Sequence, residues 1–105
     1  MGYLSSKSIN YCFGSPGQSG FLTLVDAAVG ISKNLLQSDS SISSKLKKTE
    51  HSVKGEGIMI PKNEIKLEND VSFYTGPIVD NPSHKKDEFC LQYNEYIVYN
   101  VDQVR

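Results

Sequence analysis

The chain of 105 residues has no tryptophan, two cysteines, four prolines and no excess of either charge. Eleven basic residues against twelve acidic ones leave a formal net charge of −1, too little to build the one-signed field that draws a protein to nucleic acid or to an anionic membrane. Cys12 and Cys90 form no CxxC pair and have no histidine at metal-ligand spacing. A disulfide framework and a zinc site are therefore not expected, and two free thiols in a reducing compartment are. Long apolar runs are missing too: the longest, 21–29, is interrupted by Thr23 and Asp26 and is too short to cross a bilayer. Nothing in the chain has the form of a signal peptide. Gly2 after Met1, with Ser6 following, fits a permissive acylation pattern, but in a Ser-rich stretch it is not taken as an anchor. The length allows one small domain at most.

What the chain does have is concentrated near its end. Residues 91–100 (Leu-Gln-Tyr-Asn-Glu-Tyr-Ile-Val-Tyr-Asn) are aromatic, β-branched or long, without Gly or Pro, and read as one strand. Alternation puts Tyr93, Glu95, Ile97 and Tyr99 on one face and Asn94, Tyr96 and Val98 on the other. Glu95 is the only charge in this strand. Pattern alone leaves two readings, a solvated edge-strand carboxylate or a buried one whose desolvation is offset by hydrogen bonds or a chemical task.

The segment from Tyr93 to Asn100, followed by Gln103, Val104 and Arg105, resembles the "YNEYIVY" strand of the poly(ADP-ribose) polymerases. Two further segments match the same family in the same order. Ser6-Lys7-Ser8-Ile9-Asn10-Tyr11-Cys12 is similar to "SKSANYC", and His51-Ser52-Val53-Lys54-Gly55-Glu56-Gly57 to "HSVKGLG". The resemblance implies that Glu95 is the catalytic glutamate and that NAD is the substrate. It also implies that Ser8 holds the nicotinamide amide, that Tyr11 stacks on its ring, and that Lys7 lies near the glutamate. By residue type alone, 5–12 suits a short helix that presents Ser8, Tyr11 and Cys12 on one face. A hydroxyl beside a ring fits a flat amide-bearing ligand. The same pair also serves a core tyrosine and a capping serine.

Between these segments the chain is less specific. Residues 14–20 are turn-rich but lack the Lys-Ser/Thr ending of a phosphate-binding loop. The apolar run 21–30 reads as a central strand. The Ser-rich stretch 38–44, with Lys45, Lys47 and Lys48 after it, reads as an exposed mobile connector. Glycines at 55 and 57 mark a sharp turn or a close approach. His51 is expected at the rim or in a structural role, because the family's catalytic histidine belongs to a different, upstream motif. Glu56, Ile58 and Met59 depart from the family's "LGKT". Residues 61–87 alternate short strand-like pieces with turns at Asn69-Asp70, Gly76-Pro77 and Asn81-Pro82. The resemblance makes this a hairpin and then the acceptor-side loop before the catalytic strand, with His84, Lys85 and Lys86 as a charged surface tip.

The fold expected is α+β, a mostly antiparallel split β-sheet of the ADP-ribosyltransferase type, incomplete, with a short N-terminal helix. Residues 1–105 are expected to form the C-terminal part of a single catalytic domain. The family's triad histidine and tyrosine fall before Met1, and its last strand falls after Arg105. The function implied is transfer of ADP-ribose from NAD to protein acceptors and to a growing ADP-ribose chain. No metal, no membrane and no direct nucleic-acid contact by this segment are expected. The resemblance points to the nucleus and the DNA-damage response, and the free thiols otherwise to the cytoplasm. The rival reading is a non-catalytic interaction module, or an inactive fragment, that keeps the strand scaffold.

Overall fold

The computed structural model describes residues 8–12 and 16–105. Six strands follow in chain order: β1 (Ser32–Leu35), β2 (Ser52–Gly55), β3 (Gly57–Lys66), β4 (Ser72–Asp80), β5 (Leu91–Tyr93) and β6 (Glu95–Val98). A one-turn helix, Ile42–Lys45, lies between β1 and β2. The strands form two sheets, ordered β1-β2-β6 and β4-β3-β5. Antiparallel register dominates: seven residue pairs join β3 to β4 and four join β2 to β6. Parallel pairs number four between β1 and β2 and two between β3 and β5. The architecture is the incomplete α+β split sheet expected from the sequence.

The split has a local cause. The stretch 52–66 is interrupted at Glu56 and the stretch 91–98 at Asn94, and at each break the chain leaves one sheet for the other. The expected single strand over 91–100 is thus two short strands. Asn94 is 4% exposed, and its Oδ1 accepts a hydrogen bond from the Gly57 amide at 2.8 Å. The Glu56 amide donates to the Leu35 carbonyl at 2.9 Å. These bonds replace the ladder bonds that the breaks interrupt, as buried backbone donors require. Gly57 is obligatory here, since a Cβ would come within 2.3–2.6 Å of Tyr93 backbone atoms. The close approach expected of the paired glycines is realised at this crossing.

The hairpin turns at Asn69 and Asp70, both with positive φ, a conformation that asparagine and aspartate tolerate. At Gly76-Pro77 the chain does not turn but continues through β4. Gly76 (φ 85°) sits opposite a register shift between Pro61 and Asn63, so the turn signal marks a bulge instead.

Three expectations need further correction or limits. The apolar run 21–30 is not a central strand: only Ala27 forms an isolated bridge, to Val104, and Phe21 and Leu24 are 96% and 87% exposed. An apolar run is buried on both faces only where layers cover both, and the described residues supply none. Within the stretch read as an exposed mobile connector, 38–48, Ile42 is buried and opens a one-turn helix. At the N-terminus, the Tyr11 and Cys12 amides donate to the Ser8 and Ile9 carbonyls at 3.1 and 3.0 Å, while Lys7 and the start of the expected helix lie outside the described residues.

Among the described residues the buried apolar side chains are Ile42, Val53, Pro61 and Phe89, and they share the interior with Gly57, Ser52, Glu56 and Asn94. Ser52 is satisfied by Ser32 Oγ at 2.6 Å and the Val29 carbonyl at 2.7 Å. The interior is therefore rich in polar groups, and their hydrogen bonds help fix the strand junction.

Candidate functional site

Glu95 opens β6, directly after the buried Asn94, and its Cα partner across the ladder is Gly55. The residue is half-buried, between the two readings that the pattern left open. Its strand touches the 52–57 stretch on either side of Glu56: Glu95 pairs with Gly55, and Asn94 bonds the Gly57 amide. The backbone of Glu95 is thus set at the point where both sheets meet.

Ser8 and Tyr11 share one turn, closed by the bond from the Tyr11 amide to the Ser8 carbonyl. Ser8 is half-buried, whereas Tyr11 is 74% exposed. The tyrosine is therefore not packed among the described residues. Cys12 Sγ, 3.1 Å from the Phe21 carbonyl, ties this turn to the next segment. Both cysteines are free thiols. The structure therefore places Ser8 and Tyr11 together on one turn and Glu95 on a separate element, at the junction.

His51 does structural work. Its Nδ1 accepts from the Ile31 amide at 3.1 Å, so Nδ1 carries no proton in that bond, and its carbonyl accepts from Gln103 Nε2 at 2.9 Å. A Cβ on Gly30 (φ 54°) would fall 2.5 Å from this ring nitrogen. The ring thus helps fix the entry to β1.

The loop 81–90 departs from a simple charged tip. Asn81 bonds the junction through its amide to the Ile58 carbonyl (2.7 Å) and through Nδ2 to the Gly57 carbonyl (3.0 Å). At the far end, Gln37 Nε2 donates to the Glu88 carbonyl and the Cys90 amide to the Leu36 carbonyl. Between them, His84 Nδ1 lies 3.6 Å from Glu56 Oε2, and the His84 ring meets Phe89 edge-on at 5.9 Å. Lys54 Nζ lies 3.8 Å from the other Glu56 oxygen. Sequence reasoning missed this cluster. The available signal was Glu56 itself, an acidic residue where the resembling segment has Leu, between two glycines.

The Asp39 carboxyl is held below its ordinary range. Hydrogen bonds from the Lys45 ammonium at 2.9 Å, then from the Ser41 hydroxyl and amide at 2.7 and 3.0 Å, lower its pKa to about 2. They stabilise the start of the Ile42–Lys45 helix.

The model of the poly(ADP-ribose) polymerase catalytic domain family matches residues 2–105. The chain belongs to the poly(ADP-ribose) polymerase family. Human poly(ADP-ribose) polymerase 2 is 39% identical over 104 residues, covering 97% of this chain and 18% of the relative. Poly(ADP-ribose) polymerase 2-A of Oryza sativa subsp. japonica is 41% identical over 103 residues, covering 95% of this chain and 15% of the relative. Poly(ADP-ribose) polymerase 1 of Xenopus laevis is 38% identical over 100 residues, covering 94% of this chain and 10% of the relative. The chain thus spans less than a fifth of the length of these polymerases. Among the described residues no group of three or more His, Cys, Asp or Glu side chains is placed to hold a metal, and no helix is long and apolar enough to cross a membrane.

Proposed function

We propose that this chain supplies the catalytic glutamate and the nicotinamide-facing turn of an NAD-dependent ADP-ribosyltransferase, which transfers ADP-ribose to protein acceptors, extends the ADP-ribose chain and releases nicotinamide. The observation that carries the reading is Glu95, half-buried and fixed on both sides by bonds between its strand and the 52–57 stretch. Preorganisation of this kind is what a charge-stabilising group needs. The exposed ring of Tyr11 and the Ser8 hydroxyl, on one turn, suit a planar carboxamide. Lys7, beside Ser8 in sequence, is assigned to the same NAD site.

The nicotinamide–ribose bond breaks through an oxocarbenium-like state of the kind met in glycoside chemistry. Glu95 accepts a hydrogen bond from the ribose 2′-hydroxyl and stabilises the positive charge that develops on the sugar. When the acceptor is another ADP-ribose, the same carboxylate polarises the attacking hydroxyl. A nuclear location and a part in the DNA-damage response belong to the same proposal.

Glu95→Gln tests it, because Gln keeps the shape and still accepts a hydrogen bond but carries no charge. In the full-length protein that carries this chain, polymer formation should fall by roughly 10²- to 10⁴-fold, the usual loss for one well-placed acid, base or electrostatic group. The melting temperature should stay unchanged. A Glu95→Gln protein that melts like wild type and still makes long polymer refutes the assignment.

A further inference from the structure

We propose that the groove between residues 34–39 and residues 83–84 docks a segment of a partner protein through an arginine side chain, whose guanidinium is received by Glu56. Ser8, Tyr11 and Glu95 do not line this groove, and no part of the transferase reading depends on it.

Glu56 is buried without a hydrogen-bond donor. Its side chain is 10% exposed, and burial of a carboxylate is costly unless hydrogen bonds or close charges offset it. Among the described residues no donor comes within hydrogen-bonding distance of it: the nearest nitrogens, His84 Nδ1 and Lys54 Nζ, stand at 3.6 and 3.8 Å. A carboxylate can accept several hydrogen bonds, and this one is given none by its own chain. None of the buried side-chain oxygens among the described residues lacks a hydrogen bond. The Glu56 oxygens, which lack one, are therefore reached from outside, and the opening that reaches them is the groove they help line. An acceptor left open in this way is a place for a donor that the chain itself does not supply.

The lining decides what kind of donor fits. The groove holds about 760 Å³, enough for a short peptide segment. Its charged lining is acidic, Glu56 and Asp39, with no Lys or Arg; Lys45 and Lys54 approach these carboxylates without lining the groove. Asp39 stays ionised, because its bonds from Lys45 and Ser41 hold its pKa at about 2. An anion is thus disfavoured and a cation favoured. No third carboxylate, histidine or cysteine among the described residues stands close enough to make this a metal site. Leu35 and Leu36 offer apolar surface to the methylenes of a long cationic side chain. Asn34 and Ser38 add acceptor oxygens for the hydrogens that Glu56 does not take. Arginine fits better than lysine, since its planar fork gives a carboxylate two parallel bonds and is more weakly hydrated.

The test uses the full-length protein and an end-capped peptide, Ala-Leu-Arg-Leu-Ala, beside a copy in which citrulline, the uncharged shape-match of arginine, takes the central place. Fluorescence anisotropy of the dye-labelled peptides measures affinity, and amide exchange locates the site. The arginine peptide should bind and slow exchange in 34–39. The citrulline peptide should bind at least about tenfold more weakly, as expected when a charge-assisted bond becomes a neutral one. Glu56→Gln should weaken the arginine peptide by about ten- to a hundredfold and bring it level with the citrulline peptide. The citrulline comparison uses the unaltered protein, so it decides the matter even where Glu56→Gln folds poorly. No binding of the arginine peptide, equal binding of both peptides, protection at a surface other than 34–39, or a Glu56→Gln protein that melts like wild type and binds unchanged overturns the proposal.

Discussion

Replacing Asn94 by Ala tests the strand junction directly. The change removes the acceptor of the Gly57 amide, a 2.8 Å bond between two buried residues. A solvent-exposed bond would contribute a net ~0.5–1.5 kcal/mol, because water replaces the lost partner. Water does not reach the Gly57 amide without opening the crossing, where the Tyr93 backbone lies within 2.3–2.6 Å of a Cβ position. The relevant cost is therefore that of leaving a buried donor unsatisfied, about 1–3 kcal/mol. For a domain of about this size, 1 kcal/mol shifts the melting temperature by roughly 4–8 °C, so a cost near the middle of that range lowers it by about 8–16 °C. Thermal melts followed by circular dichroism read this, and amide exchange at Gly57 reads the bond itself. An Asn94→Ala chain that melts within about 2 °C of wild type, with Gly57 equally protected, refutes the argument that this bond joins the sheets.

Gly57→Ala should be harsher, at or above the ~1–3 kcal/mol of ordinary overpacking, because the new methyl meets backbone and not a movable side chain; an urea midpoint equal to wild type would contradict this. Tyr11→Ala, in the full-length protein, should weaken NAD and nicotinamide-like inhibitors by about 1–3 kcal/mol through lost burial and stacking, and unchanged affinity measured by calorimetry would return the ring to a surface role. Asp39 has a folded-state pKa near 2, below its ordinary 3.8. Its contribution to stability is therefore present above about pH 4 and is lost as the pH falls through 2. Wild type and Asp39→Asn should differ at neutral pH and converge in acid, and a difference that persists at pH 2 would show that charge is not the cause. The effect should be small, since the site is open to solvent.

How far the sequence could be read depended on whether the deciding partner was near in the chain. The residue types of 91–100 declared strand correctly, yet not the break at Asn94, because that break depends on a donor 37 residues away. The alternate glycines around Glu56 announced a close approach without naming Tyr93 as the backbone approached. The apolar run 21–30 had the composition of a covered strand, and composition carries no information about which layers cover it. In the serine-rich 38–44 stretch, averaging concealed the single residue that matters, Ile42, which is buried at 7% exposure. His84 read as part of a charged tip because its partner, Glu56, follows a different strand. Ser8 and Tyr11 were legible as a pair since three residues separate them on one turn.

The crossing at Gly57 and Asn94 also bears on how the chain folds. β3 and β4 can zip from the Asn69 turn with little loop to close, and β1 and β2 are about 20 residues apart. β5 and β6 are different: each belongs to a different sheet, and both are delivered by one short stretch that must thread past Gly57. Neither sheet gains its third strand until that encounter occurs, and then both gain it at once. Closing such a distant contact costs entropy before it returns any stabilisation, so it is the slow step. Glu95 is consequently expected to take its place in the last cooperative event, and a chain stalled before it would present two paired ribbons with open edges.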